Sequence, residues 1–294
     1  MRIVIESPDG DRVDVDELRN WIGRSETYKD RVTPTPVAAL AATLDRDDPA
    51  PSPGEPIPAL WHWLFFLPIH RASELGPDGH ARRGAFLPPV PLPRRMYGGG
   101  RFRFDHPLRI GDAITRQSRI ADVRLKEGRS GPLVFVVVHH EISNAAGLAI
   151  VEEHVIVYRD VPRPGAPASA AQNPPDTPTW RQEIQMDDVG LFRYSALTFN
   201  GHRIHYDRRY ATLVEGYPGL VVHGPLLATL LLELLRRHMP QAVVAEFSFR
   251  AVRPLFDTTP FFVCGRSDGS RVVHLWATDP EDALAMDASA TLAS

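Results

Sequence analysis

The sequence predicts an α+β fold in which two similar units each pack one long helix against an antiparallel sheet. Three successive strand-like segments, joined by short turns, indicate an antiparallel meander in the first half of the 294-residue chain. One strongly amphipathic stretch indicates a long helix in the second half. A proline-rich run lies between the halves, and the length itself suggests about two domains.

The strand-like segments span residues 116–126, 132–142 and 148–159. The middle segment contains LVFVVVHHEI, which is apolar and rich in β-branched residues, as is typical of a buried strand. EGRSGP and NAAG supply the turns between the segments.

Helical periodicity is clearest at residues 37–44 and 225–238. In the second of these, leucines recur at every fourth position and form one apolar face. Pro225 is suited to a first helical turn, and Pro240 closes the far end.

The proline-rich run predicts three parts: an N-terminal domain over residues 1–160, a linker over 161–180 and a C-terminal domain over 181–294. A weak repeat relates the halves at an offset of 147 residues: Phe102-Arg103 and Pro107-Leu108 recur as Phe249-Arg250 and Pro254-Leu255. The repeat suggests duplication of one α+β unit.

Composition excludes several functions. The net charge of −3 gives no basic field for nucleic acid. No apolar run has the length of a signal peptide or a membrane span, which predicts a cytoplasmic protein without a membrane partner. Cys264 is the single cysteine, so no internal disulfide or cysteine metal cluster can form, and its apolar neighbours predict a buried thiol.

Polar residues that could carry chemistry concentrate in LTFNGHRIHYDRRYA, residues 197–211. This segment contains Asn200, His202, His205 and Tyr206. A dozen residues later His223 and Gly224 lead into the long helix, where a backbone N–H is free and aligned with the helix dipole. Imidazoles beside such a donor can polarise a carbonyl and move a proton.

A metal site built from His202, His205 and Asp207 is disfavoured, and none is predicted. His205 and Asp207 are two residues apart and share a face only on a strand, and no third histidine is spaced to complete the site.

IHYDRRYA and VHGPLLATLL resemble the signature and helix entry of MaoC-like hydratases and dehydratases of the hotdog fold. GAFLPPVPLPRRMYGGG and GRSGPLVFVVVHHEI resemble its double-hotdog branch, which contains mesaconyl-CoA (3-methylfumaryl-CoA) and itaconyl-CoA hydratases and mitochondrial-type 3-hydroxyacyl-thioester dehydratases. The resemblance implies a double hotdog, with Gly224 supplying the oxyanion-hole N–H. Because the first half lacks a comparable histidine loop, one hotdog is expected to be catalytic and the other to shape the acyl pocket.

The sequence departs from the family pattern at the catalytic acid. Asn200 stands where the family has an aspartate, and His202-Arg203 stands where it has Asn-Pro. Asparagine holds a water but is no base. The base is therefore expected to be His205, whose ordinary pKa of ~6.5 suits proton transfer. His202 is expected either to share this role or to orient His205.

Arginine is the residue best suited to a substrate carboxylate or a CoA phosphate. The candidates are Arg94, Arg95 and Arg203, the last of which has a surface ion pair as its alternative role. His223 and Tyr206 are further candidates for substrate contact because they adjoin the catalytic segments.

The sequence thus predicts a hydro-lyase that hydrates a short branched or dicarboxylic enoyl-CoA such as itaconyl-CoA or mesaconyl-CoA. It would need no cofactor besides the coenzyme A of the substrate, and the resemblance allows a homodimer. The alternatives are a 3-hydroxyacyl-carrier-protein dehydratase, a non-catalytic acyl-thioester-binding subunit and a thioesterase.

Overall fold

The computed structural model describes residues 4–6, 12–128, 131–161 and 171–294. Part of the predicted linker, residues 162–170, lies outside the described residues. The strands of the first half are β1 (Val4–Glu6), β2 (Arg12–Asp14), β3 (Ser25–Arg31), β4 (Arg94–Phe104), β5 (Ala113–Gly128), β6 (Gly131–Asn144) and β7 (Gly147–Arg159). Those of the second half are β8 (Trp180–Ile184), β9 (Val244–Ala251), β10 (Phe261–Ser267), β11 (Val272–Thr278) and β12 (Leu284–Leu292).

The α-helices are α1 (Val15–Arg19), α2 (Pro34–Thr43), α3 (Asp188–Leu197) and α4 (Gly224–His238). Short 3-10 helices at Trp61–Leu64, Ala72–Glu74 and Arg203–His205 and a π-helical turn at Tyr210–Val214 interrupt the loops. None of the described helices is long and apolar enough to cross a membrane.

Ten strands form one continuous antiparallel sheet, in the order β3-β5-β6-β7-β4-β9-β12-β11-β10-β8. The two half-sheets have the same topology, since β3, β5, β6, β7 and β4 correspond in order to β8, β10, β11, β12 and β9. They join where β4 pairs with β9, with Phe102 opposite Phe247. The Phe-Arg part of the predicted repeat lies on these two strands and the Pro-Leu part follows each of them, which confirms a structural repeat.

The sheet wraps around α4, which supplies an almost wholly buried run of side chains between Leu226 and Leu235. The predicted meander is confirmed as β5, β6 and β7. The helix of the first half is confirmed but short, because α2 ends at Thr43 where the chain turns through Asp45 in a left-handed conformation. The two helices and one face of the sheet share a single apolar cluster.

Cys264 lies on β10 and is buried, as predicted. Burial raises the pKa of its thiol to about 11, so the thiol is protonated and unreactive at neutral pH.

Candidate active site

A cavity of about 1850 Å³ opens between the two halves near the start of α4. It is lined by β4 and the α2–β4 loop from the first half, and by the 197–224 segment from the second. The predicted catalytic segment therefore faces residues that come from the other half of the chain.

The His205 ring has a fixed orientation in this cavity. Its Nδ1 lies 2.7 Å from the backbone carbonyl oxygen of Val221, to which it donates a hydrogen bond. The proton of the neutral ring is thus on Nδ1, and Nε2 keeps a lone pair. Nε2 has no hydrogen-bond partner among the described residues, and His205 lines the cavity. The ring can therefore accept a proton from a bound molecule.

Burial lowers the pKa of His205 to about 4, below the ordinary value on which the sequence expectation rested. Desolvation disfavours the imidazolium form and outweighs the hydrogen bond to the Val221 carbonyl, which raises the pKa; the nearby His80 lowers it further. His205 is consequently a neutral base at pH 7.

The activity of this site is expected to stay constant from pH 8 to about pH 5 and to fall as the pH drops through about 4. The sign follows because the unprotonated form is active and its folded-state pKa is lowered. The titratable groups facing His205 are His80, His202 and His223. A profile of kcat/KM against pH tests this, and an acid limb centred between pH 6 and 7 would contradict it.

The buried His223 ring packs against the His205 ring. The two rings stack with centroids 3.7 Å apart, and His223 Nε2 shares a 2.8 Å hydrogen bond with the Ser195 hydroxyl. His223 is fully buried and is not among the residues that line the cavity. His223 therefore offers no surface to the cavity, which argues against its expected substrate contact.

Gly224 is the first residue of α4 and lines the cavity. Its backbone N–H is one of the donors that a helix leaves unpaired, and no partner is found for it among the described residues. The helix dipole adds positive potential at this point. The position can hold an oxygen that gains negative charge during a reaction.

His202 and Asn200 also line the cavity. The His202 ring stands edge-on to His205, with centroids 5.4 Å apart. The Asn200 Oδ1 accepts a 3.0 Å hydrogen bond from the backbone N–H of His202 and so caps the loop. The expected water contact of Asn200 would compete with this internal bond.

Arg203 is occupied by protein partners. Its guanidinium binds the Asp207 carboxylate at 2.7 and 3.0 Å and lies 4.2 Å above the Tyr210 ring. Arg203 does not line the cavity. Its ion-pair alternative is observed, and its expected contact with a substrate carboxylate or CoA phosphate stays a prediction.

Arg94 and Arg95 differ although they adjoin on β4. Arg94 is buried, with Nε 2.9 Å from the Glu215 carboxylate, so its charge is already neutralised. Arg95 lines the cavity, and its side chain has no ion-pair or hydrogen-bond partner in the part of the chain that the structure describes. Its charge lowers the pKa of His80, His154 and His202, which places it close to all three.

Tyr206 lies at the cavity wall and is 42% exposed. Its hydroxyl donates a 2.9 Å hydrogen bond to the Gly201 carbonyl oxygen. The hydroxyl is thus engaged by the loop, and the ring face remains for substrate contact.

The structure adds an acid–histidine pair that the sequence did not indicate. Asp78 and His80, from the α2–β4 loop, hydrogen-bond to each other through Oδ2 and Nδ1 at 2.9 Å. The His80 ring lies 4.2 Å from that of His202. No local signature marks this pair, since the chain separates it from His202 by more than a hundred residues.

A second polar cluster lies on the first half-sheet. The buried Glu152 carboxylate binds His62 Nε2 at 3.1 Å, the Tyr97 hydroxyl at 3.0 Å and the Trp63 indole N–H at 3.3 Å. Burial raises the pKa of Glu152, but the hydrogen bond from His62 and the nearby imidazoles of His140 and His154 outweigh it and lower the pKa overall. The cluster forms a rigid polar wall beside the cavity.

Two groups among the described residues bring three potential metal ligands within 4.8 Å of one another: Asp78, His80 and His202, and His140, Glu152 and His154. In each group the carboxylate already accepts hydrogen bonds from protein donors. The two carboxylates thus have hydrogen-bond donors within the protein.

Comparison with solved structures identifies the class of fold. A MaoC-like dehydratase from Phytophthora capsici aligns with a TM-score of 0.67 at 15% identity, covering 96% of this chain and 98% of that one. A Mycobacterium tuberculosis protein described as having a double hotdog fold aligns with a TM-score of 0.59 at 15% identity, covering 95% and 97%. The protein thus has the double-hotdog fold, as its resemblance implied.

Sequence comparison identifies the family. Residues 60–257 match the model of hydroxyacyl-thioester dehydratase type 2. A mesaconyl-C(4)-CoA hydratase of Chloroflexus aurantiacus is 49% identical over 92% of this chain and 96% of its own. A mitochondrial hydroxyacyl-thioester dehydratase type 2 of Schizosaccharomyces pombe is 28% identical over 85% and 93%. The chain belongs to the hydroxyacyl-thioester dehydratase type 2 family and is, as predicted, a hydro-lyase.

Proposed function

We propose that this protein hydrates the double bond of a short dicarboxylic or branched enoyl-CoA, of which mesaconyl-CoA and itaconyl-CoA are examples. The observation that carries the proposal is that one cavity contains both an unprotonated His205 Nε2 and the free backbone N–H of Gly224. The similarity to a mesaconyl-C(4)-CoA hydratase supports the acyl group.

The thioester carbonyl oxygen would accept a hydrogen bond from the Gly224 N–H, which draws electrons from the conjugated double bond. A water would then bond through its oxygen to the β-carbon while His205 Nε2 takes its proton. The π electrons move to the carbonyl oxygen, and the enolate recovers the proton at the α-carbon from His205. The reverse sequence is dehydration, and no cofactor besides the substrate's coenzyme A takes part.

Arg95 is the residue proposed to bind the second carboxylate of the substrate. It has no partner among the described residues, and it is half-buried. A carboxylate would satisfy its planar donor set with two hydrogen bonds. Arg94 and Arg203 are unsuited because acidic side chains of the protein already neutralise them.

The substrate class is tested with crotonyl-CoA, mesaconyl-CoA, itaconyl-CoA and a medium-chain enoyl-CoA. The conjugated thioester absorbance is followed, and products are identified by mass. Addition of one water to a dicarboxylic substrate is the expected result. Free CoA as product would instead indicate a thioesterase, and binding of the CoA esters without turnover would indicate a non-catalytic subunit.

The second candidate function is dehydration of longer 3-hydroxyacyl thioesters. The cavity volume of about 1850 Å³ favours it, because ordinary small-ligand pockets measure about 300–1,000 Å³. Turnover confined to the medium-chain substrate of the same panel would select this candidate.

Replacing Arg95 by methionine is expected to lower kcat/KM for the dicarboxylic substrate about 100-fold, since a charge-assisted pair contributes ~1.5–3 kcal/mol. Crotonyl-CoA, which lacks the carboxylate, should change less than about threefold. Arg101→Met on the same strand is the control, because Arg101 is 80% exposed. Equal losses on both substrates would instead indicate that Arg95 binds a CoA phosphate.

A further inference from the structure

The Asp78–His80 pair has a defined protonation geometry. Asp78 Oδ1 accepts a 3.0 Å hydrogen bond from the His80 backbone N–H, and Oδ2 accepts one from His80 Nδ1. Because a carboxylate can only accept hydrogen bonds, the proton of the neutral His80 ring is on Nδ1 and the lone pair is on Nε2. Both residues are partly buried, and His80 lines the same cavity as His205.

Hydrogen bonds and a close approach of the two backbones hold the loop with Asp78 and His80 against the catalytic segment. The Arg203 backbone N–H donates to the Asp78 carbonyl oxygen at 3.0 Å, and Arg203 Nη1 donates to the Pro77 carbonyl oxygen at 3.0 Å. A Cβ on Gly79 would lie 1.9 Å from the Gly201 oxygen, and one on Gly201 would lie 2.7 Å from the Gly79 oxygen. Only glycine at both positions allows this approach.

Among the three imidazoles that line the cavity beside the catalytic segment, His80 and His205 share one feature. Each donates through Nδ1 to a protein acceptor, Asp78 in one case and the Val221 carbonyl in the other, so each presents Nε2 as an acceptor. His202 has no such hydrogen bond among the described residues, and its tautomer is not fixed in this way. This part of the cavity therefore contains two oriented acceptors, one from each half of the protein.

We propose that His80 is a second catalytic residue of this site, which accepts a hydrogen bond from the attacking water, and that Asp78 is its positioning residue. The inference rests on the proposed hydration reaction. It also accounts for the aspartate of the family pattern that this chain replaces with Asn200. The Asn200 Oδ1 already accepts a hydrogen bond from the His202 backbone N–H, so another group must hold the water.

The reaction step then uses both hydrogens of the water. The oxygen bonds to the β-carbon as one proton passes to His205 Nε2, which later returns it to the α-carbon. The second hydrogen stays on the oxygen and donates to His80 Nε2, which orients the oxygen lone pair toward the β-carbon. In dehydration His80 holds the departing hydroxyl in the same way. The negative charge of Asp78 strengthens His80 as an acceptor.

His80→Asn provides the test. The asparagine amide N–H stands near the place of Nδ1–H and can still donate to Asp78, whereas the Nε2 acceptor is lost. Hydration is expected to slow about 100-fold, as misplacement of a reacting group by about 1 Å can cause, because the water loses the acceptor that orients it. His274→Asn is the matched control, because His274 is an exposed β11 residue outside the cavity.

Exchange of the α-hydrogens of butyryl-CoA in D₂O separates a catalytic from a structural role. This exchange needs Gly224 and His205 but no attacking water, so His80→Asn should retain it within about threefold. A parallel loss of exchange and hydration would assign His80 a structural role and overturn the proposal.

Asp78→Asn tests the positioning residue. Its amide would present a donor to His80 Nδ1, which moves the ring proton to Nε2 and removes the acceptor. The loss of hydration should match that of His80→Asn, and the double variant should lose no more, because the two act as one unit.

The outcomes distinguish this inference from the function on which it rests. Full hydration by His80→Asn would overturn the role of His80 alone. Failure of the unaltered protein to hydrate any enoyl-CoA of the panel would overturn the proposed function and this inference with it.

Discussion

His205→Asn is expected to reduce kcat for hydration by about 1,000-fold or more, toward the upper end for loss of a general base. The asparagine side-chain N–H stands near the position of Nδ1–H, so it can still donate to the Val221 carbonyl oxygen. The lone pair of Nε2 has no replacement. The variant therefore removes the base while it keeps the hydrogen bond that fixes the loop.

The measurement is kcat on the best substrate of the panel, together with the thermal unfolding midpoint. The midpoint should move by only a few degrees, because the substitution removes little besides the stacking of this ring on His223. Butyryl-CoA exchange should fall with hydration, unlike in His80→Asn. Activity within tenfold of the unaltered protein would exclude His205 as the base.

Gly224→Pro is expected to reduce kcat about 100- to 1,000-fold, as loss of one oxyanion donor does in other enzymes. Proline lacks the backbone N–H but suits the first turn of a helix, where Gly224 stands. His223 precedes it with φ −62° and ψ 133°, a conformation that a following proline permits. The substitution removes the donor, and its ring meets the following Pro225. The Cβ of the alanine control meets the same Pro225 ring, so the comparison of the two variants isolates the N–H.

Gly224→Ala is the matched control, because it keeps the N–H and adds only a Cβ. That Cβ would lie 3.7 Å from Tyr97 Cβ, an ordinary van der Waals contact. Its kcat should stay within about threefold, given that no oxyanion donor is lost. Equal losses in the proline and alanine variants would show that space at Gly224, and not its N–H, limits the reaction.

These two predictions concern residues that the sequence could identify. His205 and Gly224 are 19 positions apart, and both stand in recognisable local patterns. The histidine-rich segment precedes a helix that begins with Gly-Pro, and helix starts have unpaired N–H groups whatever the fold. The chemistry of this part of the site is therefore a local property of the chain.

The sequence could not distinguish the roles of the three candidate arginines. Arg94, Arg95 and Arg203 look alike in the sequence, yet Arg94 pairs with Glu215, more than a hundred residues away. Arg203 pairs with Asp207, four positions along the chain. An arginine is available to a substrate carboxylate only if the fold places no acidic side chain against it. The positions of most acidic side chains depend on long-range packing.

His80 was missed for a related reason. Asp78 and His80 belong to a loop without repeat, motif or regular periodicity, and the contact that gives them a role is made by Gly79 against Gly201. The pKa of His205 was also beyond the sequence, since burial and not residue type lowers it to about 4.

The sequence by itself determined the α+β class, the strands of the meander, the buried helix, the repeat and the histidine–glycine core of the site. Most of these follow from patterns within some twenty residues, because hydrophobic periodicity and turn chemistry act locally. Only the tertiary structure decided that β4 joins β9, that Arg95 is the arginine of the three without an acidic partner among the described residues, and that His80 lines the same cavity as His205. Each depends on groups brought together from distant parts of the chain, and their burial and charge exist only once the two halves are packed.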